Sequence, residues 1–319
     1  MTKILNRIER EAGVPGLASI LAERLTPTDL QSLLLEVYRL RSRRRQPSAL
    51  LADYQANRFV RPATVSPTCL AEWERVALAQ LPPGFLPLAL SPICPLGTNS
   101  VVASVDQNWA VSTARNTEVV SDPTNVLALE CALRRRELLR AHRGSTEPVH
   151  LAASHRLLRA QNYQDPDLAP HFCLFALCSA GRSSGGVQFE LSALGQHIRF
   201  YLRALRAFLG PDVPLHVSVT DWTGGHKPLL ESELLSPLRA EFDPVDCTLD
   251  ETRTGGRGYY LDLCFHIHAT HPSGRRMELV DGGAVDWTQK LLSNAKERLV
   301  ISGIGSERLC SEFARGDTA

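Results

Sequence analysis

Between residues 189 and 209 seven apolar side chains, Leu191, Leu194, Ile198, Tyr201, Leu202, Leu205 and Phe208, recur at helical spacing. They form one stripe on an α-helix about 30 Å long. A helix that is apolar on one side only must cover an apolar surface of its own length. Strand patterns offer that surface. Residues 150–161 and 171–180 read as strands joined by a turn rich in Asp and Pro. Residues 258–269 and 276–280 read as two more, and residues 101–105 and 109–113 as a hairpin turning at Asp106-Gln107-Asn108. Helices fall between them. Thr28 is expected to cap one beginning at Asp29, Thr68 starts one over residues 69–81, and Asp122-Pro123 opens one that runs to Arg140. Pro82-Pro83-Gly84 ends the second, and a short apolar strand over residues 85–90 follows. Strands interrupted by helices, with tight hairpins, predict an α+β fold: an antiparallel β-sheet with helices packed around it.

Composition narrows the function classes. A chain of 319 residues makes one large domain or two modest ones. The expected division is an N-terminal helical region over 1–66 and a main domain over 67–319 with an insertion at about 182–250. Net charge is +1, so no global field draws the chain to DNA, RNA or a membrane. The most apolar run, residues 85–96, is broken by Pro87, Pro92 and Pro95 and is too short to span a bilayer. The N-terminus lacks a signal-peptide pattern, which predicts a cytoplasmic protein. The eight cysteines show no CxxC pair and read as buried thiols. Arg39, Arg41, Arg43, Arg44 and Arg45 close a helix, where positive charge suits the dipole; a phosphate or RNA contact is the alternative.

Two distant segments carry the chemistry. The first is Leu157-Leu158-Arg159-Ala160-Gln161 followed by His171-Phe172-Cys173-Leu174-Phe175; the second is Gly303-Ile304-Gly305-Ser306-Glu307-Arg308. The first resembles motif 2 of class II aminoacyl-tRNA synthetases, an Arg-x-Glu strand, a loop and then His/Arg-x-x-x-Phe. The second resembles their motif 3, a Gly-x-Gly-x-x-Arg turn that opens a helix. The 69–90 helix and strand, ending at Ser91-Pro92, resembles motif 1, which builds their dimer interface. Within that class the chain looks most like histidyl-tRNA synthetase and its shorter paralogue, the regulatory subunit of ATP phosphoribosyltransferase. Ala114-Arg115-Asn116-Thr117-Glu118 with Thr124 looks like their Leu-Arg-Pro-Glu-Gly-Thr element. Gly256-Arg257-Gly258-Tyr259-Tyr260 looks like Arg-Gly-Leu-Asp-Tyr-Tyr, and Gly282-Gly283-Ala284-Val285-Asp286 like Gly-Gly-Arg-Tyr-Asp.

The resemblance implies a class II synthetase-like sheet and an ATP and Mg2+ site. Arg159 and Arg308 are the implied catalytic residues, holding the α- and γ-phosphates. Arginine suits that task because its planar fork binds phosphate bidentately and stays charged. Gln161, His171 and Phe175 are the further implied ATP contacts, Phe175 stacking on adenine. Glu118, Thr124, Arg257, Tyr259 and Tyr260 would shape an acid pocket. Departures redirect the reading. Gln161 replaces the motif 2 glutamate, and Leu177 and Gly181 occupy the places of the Gln and Glu that read histidine. No anticodon-binding domain is expected after motif 3. The implied activity is ATP-dependent formation of an acyl-adenylate from an amino acid or related acid, passed to a small molecule, a carrier or RNA, with tRNA an acceptor recognised without its anticodon. A homodimer is expected. The alternative is a non-catalytic paralogue that binds a metabolite and regulates a partner enzyme. His266, His268 and His271 lie where strand geometry aligns ligands, but with Tyr260, Asp262 and Cys264 on the same face they read as pocket lining, and no metal is assigned.

Overall fold

The protein is described here from a computed structural model covering residues 2–161 and 170–313. Four helices lead: α1 (Thr2–Ala12), α2 (Leu17–Ser19), α3 (Pro27–Ser42) and α4 (Pro47–Ala56). Neither α3 nor α4 buries a residue, and Val37, Tyr38, Leu50 and Leu51 stay exposed. Of the arginines closing α3, Arg39 pairs with Glu36 and Arg45 with Asp53. Packing begins at α5 (Pro67–Ala79), which buries Trp73, Val76 and Ala77. Then come β1 (Phe85–Pro87), β2 (Ile93–Pro95), β3 (Thr117–Val119), α6 (Pro123–Ala141), β4 (Val149–Leu158) and β5 (His171–Arg182). The striped helix is α7 (Gln188–Leu209), followed by β6 (Leu215–Asp221), α8 (Lys227–Leu230), α9 (Ser236–Glu241) and β7 (Asp246–Leu249). The chain continues through β8 (Leu263–Thr270), β9 (Arg276–Val285), α10 (Trp287–Leu292), β10 (Glu297–Gly305) and α11 (Ser306–Phe313).

Eight strands form one sheet in the order β1-β4-β5-β10-β9-β8-β6-β7. Pairing is antiparallel except at the two ends, where β1 runs parallel to β4 and β7 parallel to β6. The expected α+β architecture is what the chain adopts. The segment expected as an insertion supplies β6 and β7, for which no strand is expected, and so completes the sheet. The expected Asp- and Pro-rich turn falls at 162–169, outside the described residues.

Alternation along the strands gives the sheet two unlike faces. On the rear face Phe175, Leu177, Val217, Phe265 and Ile304 meet Leu194, Ile198, Tyr201 and Leu205 of α7, with α5 and α11 alongside. Each Leu or Ile buried there contributes about 1.5–3 kcal/mol. On the front face α6 and α10 cover only β4, β5 and β10, packing Leu127, Cys131 and Trp287 on Leu151, Ala176, Leu299 and Ile301. The front of β9, β8 and β6 carries polar residues instead. All eight cysteines are free thiols, six of them buried. No helix among the described residues is long and apolar enough to cross a membrane.

Two buried polar assemblies cross the core. Arg135 of α6 donates from Nε and Nη2 to both carboxylate oxygens of Glu297 at 2.8 and 3.0 Å, with both side chains fully buried. Its remaining N–H groups reach the carbonyls of Glu147 and Ser145. Behind the sheet, His150, Ser179, His197, Ser302 and Tyr201 form a continuous chain of hydrogen bonds between 2.7 and 3.2 Å.

Local differences from the expectations have physical causes. Thr26, not Thr28, caps α3, and Ser66, not Thr68, caps α5, because in both a proline occupies the first helical position. The hairpin expected over 101–113 does not form. Residues Thr98–Val102 coil as one wide turn, and β2 pairs with β3 instead. The organiser is Glu118, fully buried, whose carboxylate accepts from the backbone N–H of Gly97 and Asn99 and from the side-chain amides of Asn99 and Gln107, at 2.6–3.1 Å. Replacing Glu118 by Ala orphans four donors and should lower the unfolding free energy by about 3 kcal/mol or more, read by urea denaturation.

Candidate functional site

Arg159 leaves the end of β4 on the front face. Its Nη2 pairs with Asp122 Oδ2 at 3.0 Å, its Nε donates to the Ser121 carbonyl at 3.0 Å, and its guanidinium lies 5.2 Å from the centre of the Phe172 ring. Asp122 caps α6, and its Oδ1 accepts from the backbone N–H and hydroxyl of Thr124 at 2.9 and 2.7 Å. Thus an arginine fork, a carboxylate at a helix N-terminus and a half-buried aromatic face occur together.

The Tyr-Tyr pair adjoins them. Tyr259 meets Tyr260 edge-on at 5.0 Å and Trp287 at 5.7 Å. Burial raises the Tyr259 phenol well above its usual range, and the charge on Asp122 adds to this. Tyr260 is raised in the same sense, by burial and then by Asp281. Both hydroxyls therefore remain neutral donors at physiological pH. The tyrosines lie close on the strand because β9 has glycine there: a Cβ on Gly283 would stand 2.6 Å from the Tyr260 ring. Arg253, its side chain 5% exposed, covers the other side of Tyr260 and pairs with Asp281 at 2.9 Å. Burial pushes the Asp281 carboxyl up, but His266 and Arg253 outweigh it and hold the group below its ordinary value.

The sequence-predicted residues divide between two faces. Arg159, Thr124 (through Asp122), Tyr259 and Tyr260 gather on the front. Gln161 follows Arg159, partly exposed, at the border of the described chain. Arg308 opens α11, exposed, and donates to the Glu278 carbonyl at 3.4 Å. Arg257 is exposed and stacks on Trp222 at 5.2 Å. Three expectations are corrected. Phe175 is fully buried on the rear face, 5.5 Å from Phe200 and 6.4 Å from Trp73, where no adenine can reach it. His171 shares that rear parity, accepting from Arg156 at 3.0 Å and donating to the Arg61 carbonyl at 2.6 Å. Glu118 is enclosed within its own loop.

The residues missed were Phe172, Asp122 and Asp281; Arg253 stands, with Arg257, near the place of the family's arginine ahead of the Tyr-Tyr pair. Strand parity separates Phe172 from Phe175, since positions three apart face opposite ways. Asp122 stands two residues before Thr124, the separation between Glu and Thr in Leu-Arg-Pro-Glu-Gly-Thr. Nothing local marks Asp281, which meets Arg253 only through the fold.

No family model matches the sequence, and no curated protein matches it. Solved structures do match in shape. An ATP phosphoribosyltransferase regulatory subunit/histidyl-tRNA synthetase from Bacillus halodurans superposes with a TM-score of 0.56 and 13% identity, over 80% of this chain and 83% of that one. Apo histidyl-tRNA synthetase from S. aureus gives 0.57 and 13%, over 77% of this chain and 67% of that one. The chain has a class II synthetase-like fold.

Proposed function

We propose that the front face binds ATP and activates an amino acid or related carboxylic acid. The observation that carries this reading is Arg159, held on the open side of the sheet beside the Phe172 ring and the Asp122–Tyr259 group. In the reaction a carboxylate oxygen of the acid attacks the α-phosphorus of ATP, the bond to pyrophosphate breaks, and an acyl-adenylate forms. Arg159 would hold the phosphate through its fork, Phe172 would stack against the base, and Tyr259 and Tyr260 would donate to the acid. Arg308 would reach the terminal phosphate. The acceptor would be a small molecule, a carrier or RNA. Mg2+ would arrive with the phosphates and neutralise them; Asp122 is the oxygen donor beside Arg159, whereas the His266–His268 region offers nitrogen and does not suit a hard, oxygen-seeking ion. A homodimer through the β1 segment, where Leu86 is exposed on an end strand, belongs to the same reading.

The second reading is a non-catalytic paralogue that binds a metabolite and regulates a partner enzyme. The Arg159–Asp122 pair favours it, because the phosphate ligand is already engaged, and so does Gln161. ATP–pyrophosphate exchange with a panel of amino acids separates the two. Exchange with one acid supports activation; no exchange together with no ATP binding by calorimetry leaves only the regulatory reading.

The two phenylalanines provide an internal comparison. Phe172→Ala should raise the KM for ATP in the exchange assay and cost about 1 kcal/mol or less of stability. Phe175→Ala should leave that KM unchanged while costing about 3–5 kcal/mol in denaturant unfolding.

A further inference from the structure

The uncovered part of the front face holds a second cluster that the activation chemistry does not use. His266 and His268 are two apart on β8 and project to the same side. Across the strand pair His268 stands opposite Glu278, and His266 opposite Asp281, with the register shift between Ile267 and His268 drawing the two rungs together. One donor atom from each of His266, His268 and Glu278 lies within 4.8 Å of the other two. We propose that His266, His268 and Glu278 form a binding site for a divalent transition metal of the zinc type.

The donor chemistry suits such an ion. Two imidazoles and one carboxylate form a borderline-soft set that takes Zn2+, Co2+ or Fe2+ in preference to Mg2+ or Ca2+. Three protein ligands leave a coordination position for water or substrate. Glu278 is 46% exposed at its side chain, so that position opens outward. A further oxygen donor lies beside the three. Glu278 Oε2 and Asp281 Oδ1 stand 3.5 and 3.3 Å from the same His266 Nε2, and Asp281 is itself fixed by Arg253. His216 is adjacent, its ring 6.1 Å from His268, but its nitrogens are engaged by Asp246 and Thr248, which leaves it as lining. Arg276 touches His268 Nδ1 at 3.4 Å, the outer limit of a hydrogen bond. Its side chain is exposed, and a metal at that nitrogen would displace it. Because Arg253 and Asp281 join this cluster to Tyr260, the ion would border the proposed acid pocket.

The test is titration of the full chain with Zn2+ followed by calorimetry, and with Co2+ followed by visible absorption, without ATP or any acid. One ion per chain is expected, with cobalt bands of low-symmetry nitrogen–oxygen ligation. His268→Gln and Glu278→Gln should each weaken Zn2+ binding by more than the ~10–100-fold that losing an outer partner costs. His271→Ala, at the end of the same strand, should bind as wild type does. Circular dichroism melts show whether each variant is folded, and Glu278→Gln, altering an exposed side chain, keeps the comparison valid if a histidine variant unfolds. Absence of stoichiometric binding, or wild-type affinity in both His268→Gln and Glu278→Gln, overturns the proposal. Either result is independent of pyrophosphate exchange, so failure of the metal site and failure of the activation reading are separable.

Discussion

Arg159→Ala should reduce ATP–pyrophosphate exchange about 10²–10³-fold, the usual loss when one fixed donor to developing charge is removed. Arg159→Lys keeps the charge but not the planar fork, and should fall between the two. Neither change should much affect folding. The Arg159 side chain is 32% exposed and its ion pair with Asp122 only partly buried, a setting in which such pairs contribute about 0–1 kcal/mol. Asp122→Asn sharpens the result. An asparagine still caps α6 but releases the guanidinium, so the KM for ATP should fall if the carboxylate competes with phosphate. Undiminished exchange in Arg159→Ala would place the nucleotide elsewhere.

A large expected loss of stability lies towards the opposite end of α6. Arg135→Ala should lower the unfolding free energy by about 3–5 kcal/mol, because it takes from the buried Glu297 carboxylate its bidentate partner. Two carbonyl partners, those of Ser145 and Glu147, lose their donors as well. Arg182, its Nη1 4.0 Å from Glu297, is beyond hydrogen-bond reach and offsets only part of the lost charge. Desolvation, not the attraction, dominates this penalty. The double replacement Arg135→Met with Glu297→Leu should therefore recover most of it. If the double variant is as unstable as Arg135→Ala in urea melts, the pair contributes net binding energy and this account of it is wrong.

Periodicity found the long elements because one physical demand set each of them. The stripe from Leu191 to Phe208 had to meet a sheet, and α7 spans Gln188–Leu209. Asp122-Pro123, Thr26-Pro27 and Ser66-Pro67 carry the same signal, a capping side chain followed by proline at the first helical position. The 97–107 loop was not legible. Its alternating valines suggest strand, but the course of the chain is set by a carboxylate nineteen residues beyond Asn99 that attracts its N–H groups. The candidate site shows the same division. Arg159 and the Tyr-Tyr pair lie in recognisable segments, whereas Phe172 required the face of β5 to be known. Asp281 required knowing which residue of β8 it would oppose.

The chain of hydrogen bonds behind the sheet has one permitted proton order. Tyr201 donates to the Phe175 carbonyl, which can only accept, and Ser302 donates to Tyr201. Ser302 must then accept from His197 Nδ1, which leaves His197 Nε2 to accept from Ser179 and Ser179 to accept from His150. Burial keeps both imidazoles neutral, His197 being pushed down to about 3, so no added proton reverses the sequence. Sliding β10 by one residue would turn Ser302 to the front and break the order at its middle. The polar row thus serves as a key for strand register. It fixes, from behind, the height at which Gly303 and Leu174 lie beneath whatever ligand the open face receives.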